Sequence, residues 1–516
     1  MNNLLDGTDH AASVGEVSGT GQQASCYTAR DKTREKGMAE QFDIIIVGAG
    51  LSGIGAAYKL QKNHPDNSYV ILEARNNIGG TWDLFRYPGI RSDSDMFTLG
   101  YGFKPWRGGK LLADGPAIRK YVIETAQENG IEQHIRFGQR MHNANWDSES
   151  SSWTVATGDH KYRGNMLLIC AGYYSYENPH IPEFLGLEDF EGQFFHPQFW
   201  PEDLDCAGKK VVVIGSGATA VSLIPALAKS VAHVTMLQRS PTYYGSRGEV
   251  DKLGVLIGKV LPEQAAYDFV RWKNATIQRL IYGLSRIWPA ALRWILLRQA
   301  RVQLGEGFDI ETDFTPSYNP WDERLCALDQ NDLYKAFKSG NASIVTDEID
   351  CFFAKGIKLK SGKIIEADIA VAATGLEMAI NGEADLMVDG KPIKLSDTWS
   401  YKGMMYSGIP NLINTFGYIN ASWTLRADLI ADFACQVIDH MKRTNTKQVT
   451  PVLRPGDADM PERPWIDDFQ SGYMQRGLPK FPKQGDREPW INSQNYRLEK
   501  KTIGKASLDD GVLTFK

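Results

Sequence analysis

Two glycine-rich turns, each between an apolar strand and a helix-like segment, constrain the fold of this 516-residue chain most strongly. The strand at residues 42–47 runs into the turn GAGLSG at 48–53, and the strand Lys210–Ile214 runs into GSGATA at 215–220. A short apolar strand before a tight turn is typical of a buried parallel sheet, and the helix after the turn can bind a pyrophosphate at its N-terminus. We predict an α/β fold with two nested Rossmann-like dinucleotide-binding domains, each a three-layer unit around a parallel sheet, and a helical subdomain.

The residue that ends the next strand distinguishes the two units. Glu73 lies 20 residues after Gly53, where a carboxylate can accept hydrogen bonds from the ribose hydroxyls of a dinucleotide. The corresponding strand of the second unit ends at Arg239 and Ser240, and a cation beside a hydroxyl suits a 2′-phosphate. NADPH is therefore favoured over NADH, although Arg239 could also be an ordinary exposed charge. Ala220 replaces the third glycine at a helix-packing position that tolerates it.

The chain divides into segments of different composition. A late apolar strand before Ala373, Thr374 and Gly375 suggests that the first domain is completed after the second. We predict a disordered leader at 1–40, a discontinuous first domain at 41–175 plus 320–445, a second domain at 176–350 with a helical insertion at about 251–310, and a C-terminal extension with little regular structure at 446–516.

Charge and cysteine usage exclude some partners. The net charge of −5 gives no field that would attract nucleic acid. None of the six cysteines forms a C-x-x-C pair, which disfavours a zinc ribbon or a redox dithiol, and we predict no metal site. Scattered thiols and no signal peptide favour a cytoplasmic protein, while the substrate and the oligomeric state stay open.

Two further stretches carry a resemblance to a known family. Residues 79–93 read GGTWDLFRYPGIRSD, and residues 190–201 carry Phe and Gly at 190 and 192, His196, and Trp and Pro at 200 and 201. At every defined position they resemble the two signatures of type I Baeyer–Villiger monooxygenases. Segments at 86–99, 201–204, 237–242, 318–326 and 417–424 make the chain similar to the bacterial ethionamide-activating subgroup of that family.

The resemblance implies FAD and NADPH as cofactors and assigns residues to each. Met141 is expected to contact adenine through its backbone, and Arg91 and Ser92 are expected near the nicotinamide. The residues expected to bind FAD or line its site are Gly48, Gly50, Ser52, Gly53, Glu73, Gly80, Thr81, Trp82, Asp93 and Met141. Those expected at NADPH are Gly215, Ser216, Gly217, Ala218, Thr219, Ala220, Arg239 and Ser240, together with Arg91 and Ser92.

The resemblance also implies the reaction. Reduced flavin would take up O2 as a C4a-peroxyflavin, convert ketones to esters or lactones, and oxygenate sulfides or thioamides. Arg324 matches the family's active-site arginine, and Asp93 would orient it. The alternatives are a surface cation for Arg324 and a helix N-cap for Asp93. Better-known family members have a lysine where this chain has Glu323, which leaves Arg239 as the main residue for the 2′-phosphate.

Other functions compete with this interpretation. One is a flavin monooxygenase restricted to sulfur or nitrogen, and another is an uncoupled NADPH oxidase that releases peroxide. His196, next to Pro197 in a connection between domains, is interpreted as a hinge or structural hydrogen-bonding residue rather than a proton donor.

The middle segment raises a separate question. From Phe269 to Gly305 there are seven Arg or Lys residues and no acid, and Arg279, Arg286 and Arg293 recur every seven residues. No apolar run is long enough to span a membrane. A helical subdomain with solvated arginines is the favoured interpretation, and peripheral association with the cytoplasmic side of a membrane is the alternative.

Overall fold

The computed structural model describes residues 39–323, 325–467, 471–505 and 507–516. Nearly all of the predicted leader and the predicted active-site residue Arg324 lie outside these described residues. The described chain begins one residue before the first strand, so the first predicted turn is described in full.

The first region, up to residue 172, is a mixed sheet with a parallel centre. β1 lies between β2 and β6, and β3 lies beyond β2, all parallel, while β5 and then β4 continue the sheet antiparallel. Its elements are β1 (Glu40–Val47), α1 (Leu51–Asn63), β2 (Tyr69–Leu72), α2 (Thr81–Leu84), α3 (Met96–Leu99), α4 (Gly115–Glu128), β3 (Ile135–Arg136), β4 (Asn143–Asp147), β5 (Ser152–Thr157) and β6 (His160–Ile169). The carboxyl ends of β1, β2 and β6 meet at one edge, which places the first glycine turn there.

The second region is built around a five-stranded parallel sheet with the order β13-β10-β9-β17-β8. Its elements, with the connecting strand β7, are β7 (Tyr174–Pro179), β8 (Gln193–Phe195), β9 (Lys210–Ile214), α5 (Ala218–Leu227), β10 (His233–Gln238), β11 (Tyr243–Arg247), α6 (Lys252–Ile257), α7 (Glu263–Ile287), α8 (Pro289–Leu304), α9 (Ile310–Phe314), β12 (Leu325–Asp329), α10 (Asp332–Lys338), β13 (Ala342–Thr346), β14 (Ile349–Phe353), β15 (Gly356–Leu359), β16 (Ile364–Glu366) and β17 (Ile369–Ala372). Helices α6, α7 and α8 form the predicted helical insertion.

The chain then returns to the first sheet. β18 pairs antiparallel with β7, β19 joins the first sheet beside β4, and β23 joins it beside β6. The elements are β18 (Leu376–Met378), β19 (Asp385–Val388), β20 (Lys391–Pro392), β21 (Ser400–Tyr401), β22 (Met405–Tyr406), β23 (Leu412–Asn414), α11 (Trp423–Thr444), β24 (Val449–Pro451), α12 (Gly472–Gly477), α13 (Tyr496–Thr502) and β25 (Leu513–Phe515).

The predicted fold class is confirmed, and one boundary needs correction. The sequence predicted a return to the first domain at residue 320, but the strand before Ala373 is β17, which pairs with β9 in the second sheet. The chain rejoins the first sheet only at β19, which pairs with β4. The strand was recognised correctly, but its partner was not, because pairing of parallel strands depends on contacts distant in sequence.

The C-terminal extension holds short elements that pack on the first region. Trp465 and Trp490 are fully buried, and β24 pairs with β25 at the end of the chain. None of the helices in the described ranges combines the length and apolar character that a membrane crossing needs.

Candidate active site

The first glycine turn is too tight for any other residue at two positions. Gly48 has φ of +103°, and a Cβ there would lie 2.6 Å from the carbonyl oxygen of Cys170. A Cβ on Gly53 would lie 1.9 Å from the carbonyl oxygen of Gly48. The turn therefore closes against the end of β6, and the backbone of α1 starts directly under it.

The N-terminus of α1 is open to a ligand. Gly50 occupies the N-cap with extended backbone, and no side chain caps the helix. A Cβ on Gly50 would lie 3.5 Å from the Cα of Gly80, so two stretches of backbone without side chains face each other here. The first N–H groups of a helix have no intrahelical acceptor, and together with the helix dipole they suit a pyrophosphate.

A cavity of about 450 Å³ extends from this turn. Its volume lies within the range of small-molecule and cofactor sites. Eight predicted residues line it: Gly48, Gly50, Ser52, Glu73, Gly80, Thr81, Trp82 and Met141. Gly53 lies beneath the turn, while Arg91, Ser92 and Asp93 are not among the lining residues.

Glu73 is a buried carboxylate held by backbone donors. It is 3% exposed, and its two oxygens accept hydrogen bonds from the backbone N–H groups of Ala49 at 2.7 Å and Arg75 at 2.8 Å. Burial raises the pKa of this carboxyl above its ordinary value, although the backbone donors and the Arg75 charge act in the opposite direction. Its remaining lone pairs can accept ribose hydroxyls, so the donors and acceptors of the cavity fit FAD.

The sequence did not reveal the ion-pair cluster that holds the GGTW segment. Asp83 is 1% exposed, and its carboxylate lies 2.8 Å from Nη2 of Arg75 and 2.9 Å from Nε of Arg119. Arg86 adds a longer contact of 3.4 Å. Because Arg75 also lines the cavity, this cluster fixes the position of one cavity wall.

Several aromatic residues of the cavity were also missed. Trp423 donates from Nε1 to the Oγ of Ser52 at 2.7 Å and stacks on Tyr173 with ring centroids 5.1 Å apart. Tyr174 and Tyr176 line the same cavity. Trp423 lies in a segment that carried the family resemblance, which was a usable signal, whereas the tyrosines lie in the connection after β6 and had none.

The loop at 86–93 joins the first turn to the second region. A Cβ on Gly89 would lie 2.3 Å from the carbonyl oxygen of Ser222 in α5. The buried Tyr87 side chain lies beside Thr219 and Ser222. Residues 79–82 line the first cavity, and Gly89 packs against α5 of the second turn. One continuous stretch of sequence therefore contacts both turns.

The loop's charged residues have identifiable surroundings. Arg91 forms an ion pair with Asp332 at the start of α10, and Ser92 bonds within its own turn to Ser94. Asp93 is exposed. The alternative of Asp93 as a helix N-cap is wrong, because the residue that caps α3 is Asp95, which accepts from the backbone of Thr98 at 3.1 Å.

The second turn repeats the geometry of the first with a more open surface. Gly215 has φ of +137°, and a Cβ there would lie 2.3 Å from the carbonyl oxygen of Ala373. Gly217 is the N-cap of α5, again without a capping side chain. Ser216 donates from Oγ to the carbonyl of Ser240 at 3.1 Å, which draws the two predicted segments together. Residues 215–219 are half-buried, and Ala220 is buried.

Arg239 and Ser240 are exposed at the end of β10. Residues that bind the phosphate of a diffusible ligand need this exposure. The carboxyl of Glu323 is close enough to interact electrostatically with Arg239: burial raises its pKa, and the guanidinium acts against that shift. Glu323 thus lies beside the cation that the sequence assigns to the 2′-phosphate.

His196 directly follows β8 and joins it to the segment that follows β17. Its Nδ1 accepts from the backbone N–H of Gln198 at 3.1 Å, so Nε2 carries the proton and donates to the carbonyl of Gly375 at 2.9 Å. Burial lowers the pKa of His196 to about 4. It is therefore neutral at pH 7, and its contacts are those of a structural residue.

A second cavity, of about 780 Å³, lies on the other side of the segment that carries Trp423. Its walls are one side of α7 that includes Trp272, the 419–421 loop and residues 484–500 of the extension. Ile419, Ala421 and Leu425 line it, while Trp423 between them lines the first cavity.

Comparison with known proteins gives a consistent family. Residues 113–255 match the flavin-binding monooxygenase-like family, and residues 46–111 match the NAD(P)-binding Rossmann-like domain. The chain is 50% identical over 483 residues to the FAD-containing monooxygenase EthA of Mycolicibacterium smegmatis, covering 93% of this chain and 98% of that protein. It is 46% identical over 488 residues to the probable FAD-binding monooxygenase AlmA of an Acinetobacter species, covering 93% and 97%.

Solved structures agree on the fold. A steroid monooxygenase bound to NADP superposes with a TM-score of 0.74 at 20% identity, covering 92% of this chain and 99% of that one. An open structure of cyclohexanone monooxygenase gives 0.73 at 20% identity, covering 93% and 100%. The predictions of a monooxygenase and of FAD and NADPH as cofactors are confirmed. The chain belongs to the Baeyer–Villiger-type FAD-containing monooxygenases, in the group that includes EthA.

Proposed function

We propose that this flavin monooxygenase uses NADPH and O2 to convert ketones to esters or lactones and to oxygenate sulfides and thioamides. The observation that carries the proposal is the segment at 79–93, which begins in the wall of the 450 Å³ cavity and contacts the helix of the second turn. This segment would bring a site for a retained dinucleotide next to a site for an exchanging one. That is the arrangement that hydride transfer between two cofactors needs.

The 450 Å³ cavity is the proposed FAD site. The N–H groups at the start of α1 would bind the pyrophosphate, Glu73 would accept the ribose hydroxyls, and the backbone at Met141 would contact adenine. FAD, when reduced by NADPH, supplies the activation of O2 that oxygen insertion requires. The Asp83 cluster and the Trp423–Ser52 hydrogen bond hold the walls in place, which keeps the geometry fixed without further reorganisation.

The second turn is the proposed NADPH site. The N-terminus of α5 would bind the pyrophosphate, with Ser216 and Thr219 at the turn. Arg239 and Ser240 would hold the 2′-phosphate. Glu323 would weaken that contact by competing for the Arg239 charge. Because Glu323 supplies no cation of its own, Arg239 would carry most of the preference for NADPH.

Arg324 is the proposed active-site cation, with Asp93 orienting it. A guanidinium keeps its charge at any pH of interest, so it can stabilise negative charge that develops on oxygen during attack on a ketone. Arg91 and Ser92 are proposed near the nicotinamide. The Arg91–Asp332 pair would hold Arg91 in a defined position there.

The direct experiment is to supply a ketone and a sulfide separately and to quantify product, NADPH consumed and H2O2 released. Ester or lactone formed in proportion to NADPH supports the proposal. Sulfoxide without ester favours the enzyme restricted to heteroatoms, and H2O2 alone favours an uncoupled oxidase.

The Arg324→Ala variant separates the two half-reactions. We expect flavin reduction by NADPH to continue, while ketone oxygenation falls by about 100- to 1,000-fold, the scale of a lost oxyanion-stabilising donor. Arg247→Ala, at an exposed arginine on β11, is the matched control and should leave both rates unchanged. Undiminished ester formation by Arg324→Ala would refute the role of Arg324.

A further inference from the structure

The helical insertion carries most of the exposed apolar surface of the protein. Of the 23 large hydrophobic side chains that are exposed in the described chain, 16 lie between residues 250 and 302. The exposed tryptophans of the described chain, Trp272, Trp288 and Trp294, are all among them, each more than 60% exposed. Single exposed apolar residues need no explanation, but this concentration on one subdomain marks an interaction surface.

These side chains share one face. On α7, Trp272, Leu280, Leu284 and Ile287 follow helical spacing and are exposed, and Trp294 continues the surface on α8. The opposite side of α7 is buried at Tyr267 and Val270. We call the exposed apolar side of α7 and α8 the outer face.

The opposite side of α7 is anchored to the first region. The Nη1 of Arg271 donates to the carbonyls of Phe97 in α3 at 2.8 Å and of Gly100 just after α3 at 2.6 Å. Its Nη2 pairs with Asp428 of α11 at 3.0 Å. These contacts fix α7 on the first region, so the helix cannot turn its outer face towards the body of the protein.

The charges on this surface identify the occupant. Between Phe269 and Gly305 the chain has seven cations and no carboxylate, although the whole protein has a net charge of −5. Within the described ranges, no carboxylate lies within ion-pair distance of Arg279, Arg293 or Arg298, and Arg298 lies 5.6 Å from the ring centre of Trp294. Exposed tryptophans with unpaired arginines suit the headgroup region of a bilayer that carries negative charge.

A second copy of this chain is a worse partner for the same face. An isologous dimer places the same surface against itself, so Arg279, Arg293 and Arg298, which have no ion-pair partner within the described ranges, would face their own copies. We propose that the outer face docks on an anionic lipid bilayer as a peripheral surface, with the aliphatic side chains in the headgroup boundary and Arg279, Arg293 and Arg298 at the lipid phosphates.

Docking has a consequence for the substrate, which rests on the proposed oxygenation. Trp272, Thr276 and Arg279 line the 780 Å³ cavity from α7, and Trp272 is also exposed on the outer face. The cavity wall is therefore part of the same helix that would lie on lipid. A ketone or sulfide that partitions into the bilayer is then the class of substrate delivered to this enzyme.

The test is flotation of the FAD-loaded enzyme with lipid vesicles. We expect binding to vesicles of phosphatidylcholine mixed with phosphatidylglycerol, weaker binding as salt rises, and little binding to phosphatidylcholine alone. The variant Arg293→Glu/Arg298→Glu should bind at least about 30-fold more weakly, at roughly fivefold per cation removed near the surface. The control Lys229→Glu/Lys391→Glu makes the same change in net charge at exposed positions elsewhere and should bind like the unmodified enzyme.

Flavin absorbance and the thermal midpoint are measured to check that both variants are folded. Absence of flotation with the anionic vesicles, or equal binding by the two variants, would overturn the proposal. So would a dimer in sedimentation that Arg293→Glu/Arg298→Glu abolishes, because a second copy would then cover the face.

Turnover of two sulfides tests delivery separately. With anionic vesicles present, the Arg293→Glu/Arg298→Glu variant should oxygenate a long-chain dialkyl sulfide more slowly and a short water-soluble dialkyl sulfide at the unmodified rate. If the variant oxygenates both the long-chain and the short sulfide at the rates of the unmodified enzyme, delivery from lipid is overturned. If neither sulfide is oxygenated by the unmodified enzyme, the proposed function fails, while flotation still decides the docking.

Discussion

The two glycine turns have nearly the same backbone and very different surroundings. Gly50 and Gly217, the N-caps of α1 and α5, have φ and ψ of −84° and −169°, and −79° and −173°. Each turn closes against a carbonyl at the end of a neighbouring parallel strand, Cys170 in one case and Ala373 in the other. The first turn continues into a cavity of about 450 Å³, whereas the second ends at the exposed Arg239 and Ser240.

The comparison separates two physical tasks. The strand–turn–helix unit creates an anion site from backbone N–H groups, and a few glycines are enough to specify it. How long the ligand stays depends on the additional walls, which the first turn receives from the loops after β2 and β6 and from α11. A retained flavin and an exchanging nicotinamide cofactor are therefore expected from the same local motif.

The largest effect is expected when the first turn itself is broken. In Gly53→Ala the new Cβ would lie 1.9 Å from the carbonyl oxygen of Gly48, so the turn must move. We expect purified protein without flavin absorbance and a free energy of unfolding lowered by about 1–3 kcal/mol, as for an overpacked core. Visible absorbance and thermal unfolding measure both.

Gly283→Ala is the control for that substitution. Gly283 lies inside α7, and a Cβ there meets no atom within 4 Å. Alanine in a helix interior should stabilise the chain by about 1 kcal/mol and leave flavin binding intact. Full flavin content in Gly53→Ala would contradict the geometry assigned to the first turn.

The second turn should lose selectivity rather than structure. In Arg239→Ala the 2′-phosphate of NADPH loses a charged partner worth about 1.5–3 kcal/mol, so KM for NADPH should rise by about 10- to 100-fold while KM for NADH stays the same. Steady-state NADPH and NADH oxidation measure the two values. Lys229→Ala, an exposed cation just after α5, is the control and should change neither. An equal rise for both cofactors would mean that Arg239 acts on the fold and not on the phosphate.

The smallest effect concerns His196 in the connection between the regions. Its pKa is about 4 in the folded chain and ordinarily 6.5, so the folded state binds fewer protons than the unfolded state between these values. Its contribution to stability is complete above about pH 6.5 and is lost as the pH falls towards 4, by at most about 1.4 kcal/mol per pH unit. His196→Gln should therefore flatten the fall in thermal midpoint between pH 7 and pH 5.

Exposed His160→Gln is the matched control and should keep the slope of the unmodified enzyme. The same slope in His196→Gln would show that the histidine titrates normally and does not bond to Gly375 as a neutral ring.

Local sequence was informative wherever the structure is local. The turns, Glu73 at the end of β2 and the GGTW segment all reach the first cavity, because each is fixed within one strand–turn–helix unit. The partner of β17 was mispredicted because an apolar strand before a small-residue turn fits either sheet. The walls supplied by Tyr173, Tyr174 and Trp423 come together only through contacts between distant segments.

Charged residues show the same limit. The alternative that Asp93 caps α3 was wrong, because the cap is Asp95, two residues away in the same polar run. Asp83 drew no attention as an ordinary acid in a signature, and only the folded chain shows the two close guanidinium groups of Arg75 and Arg119 around its buried carboxylate.

The most direct test of the difference between the two turns is cofactor retention. The enzyme is saturated with FAD and NADP⁺, passed through a desalting column, and both nucleotides are quantified after denaturation. The cavity walls around the first site and the exposed residues at the second predict about one FAD per chain and almost no NADP⁺. Loss of both nucleotides, or retention of NADP⁺ with loss of FAD, would contradict the account.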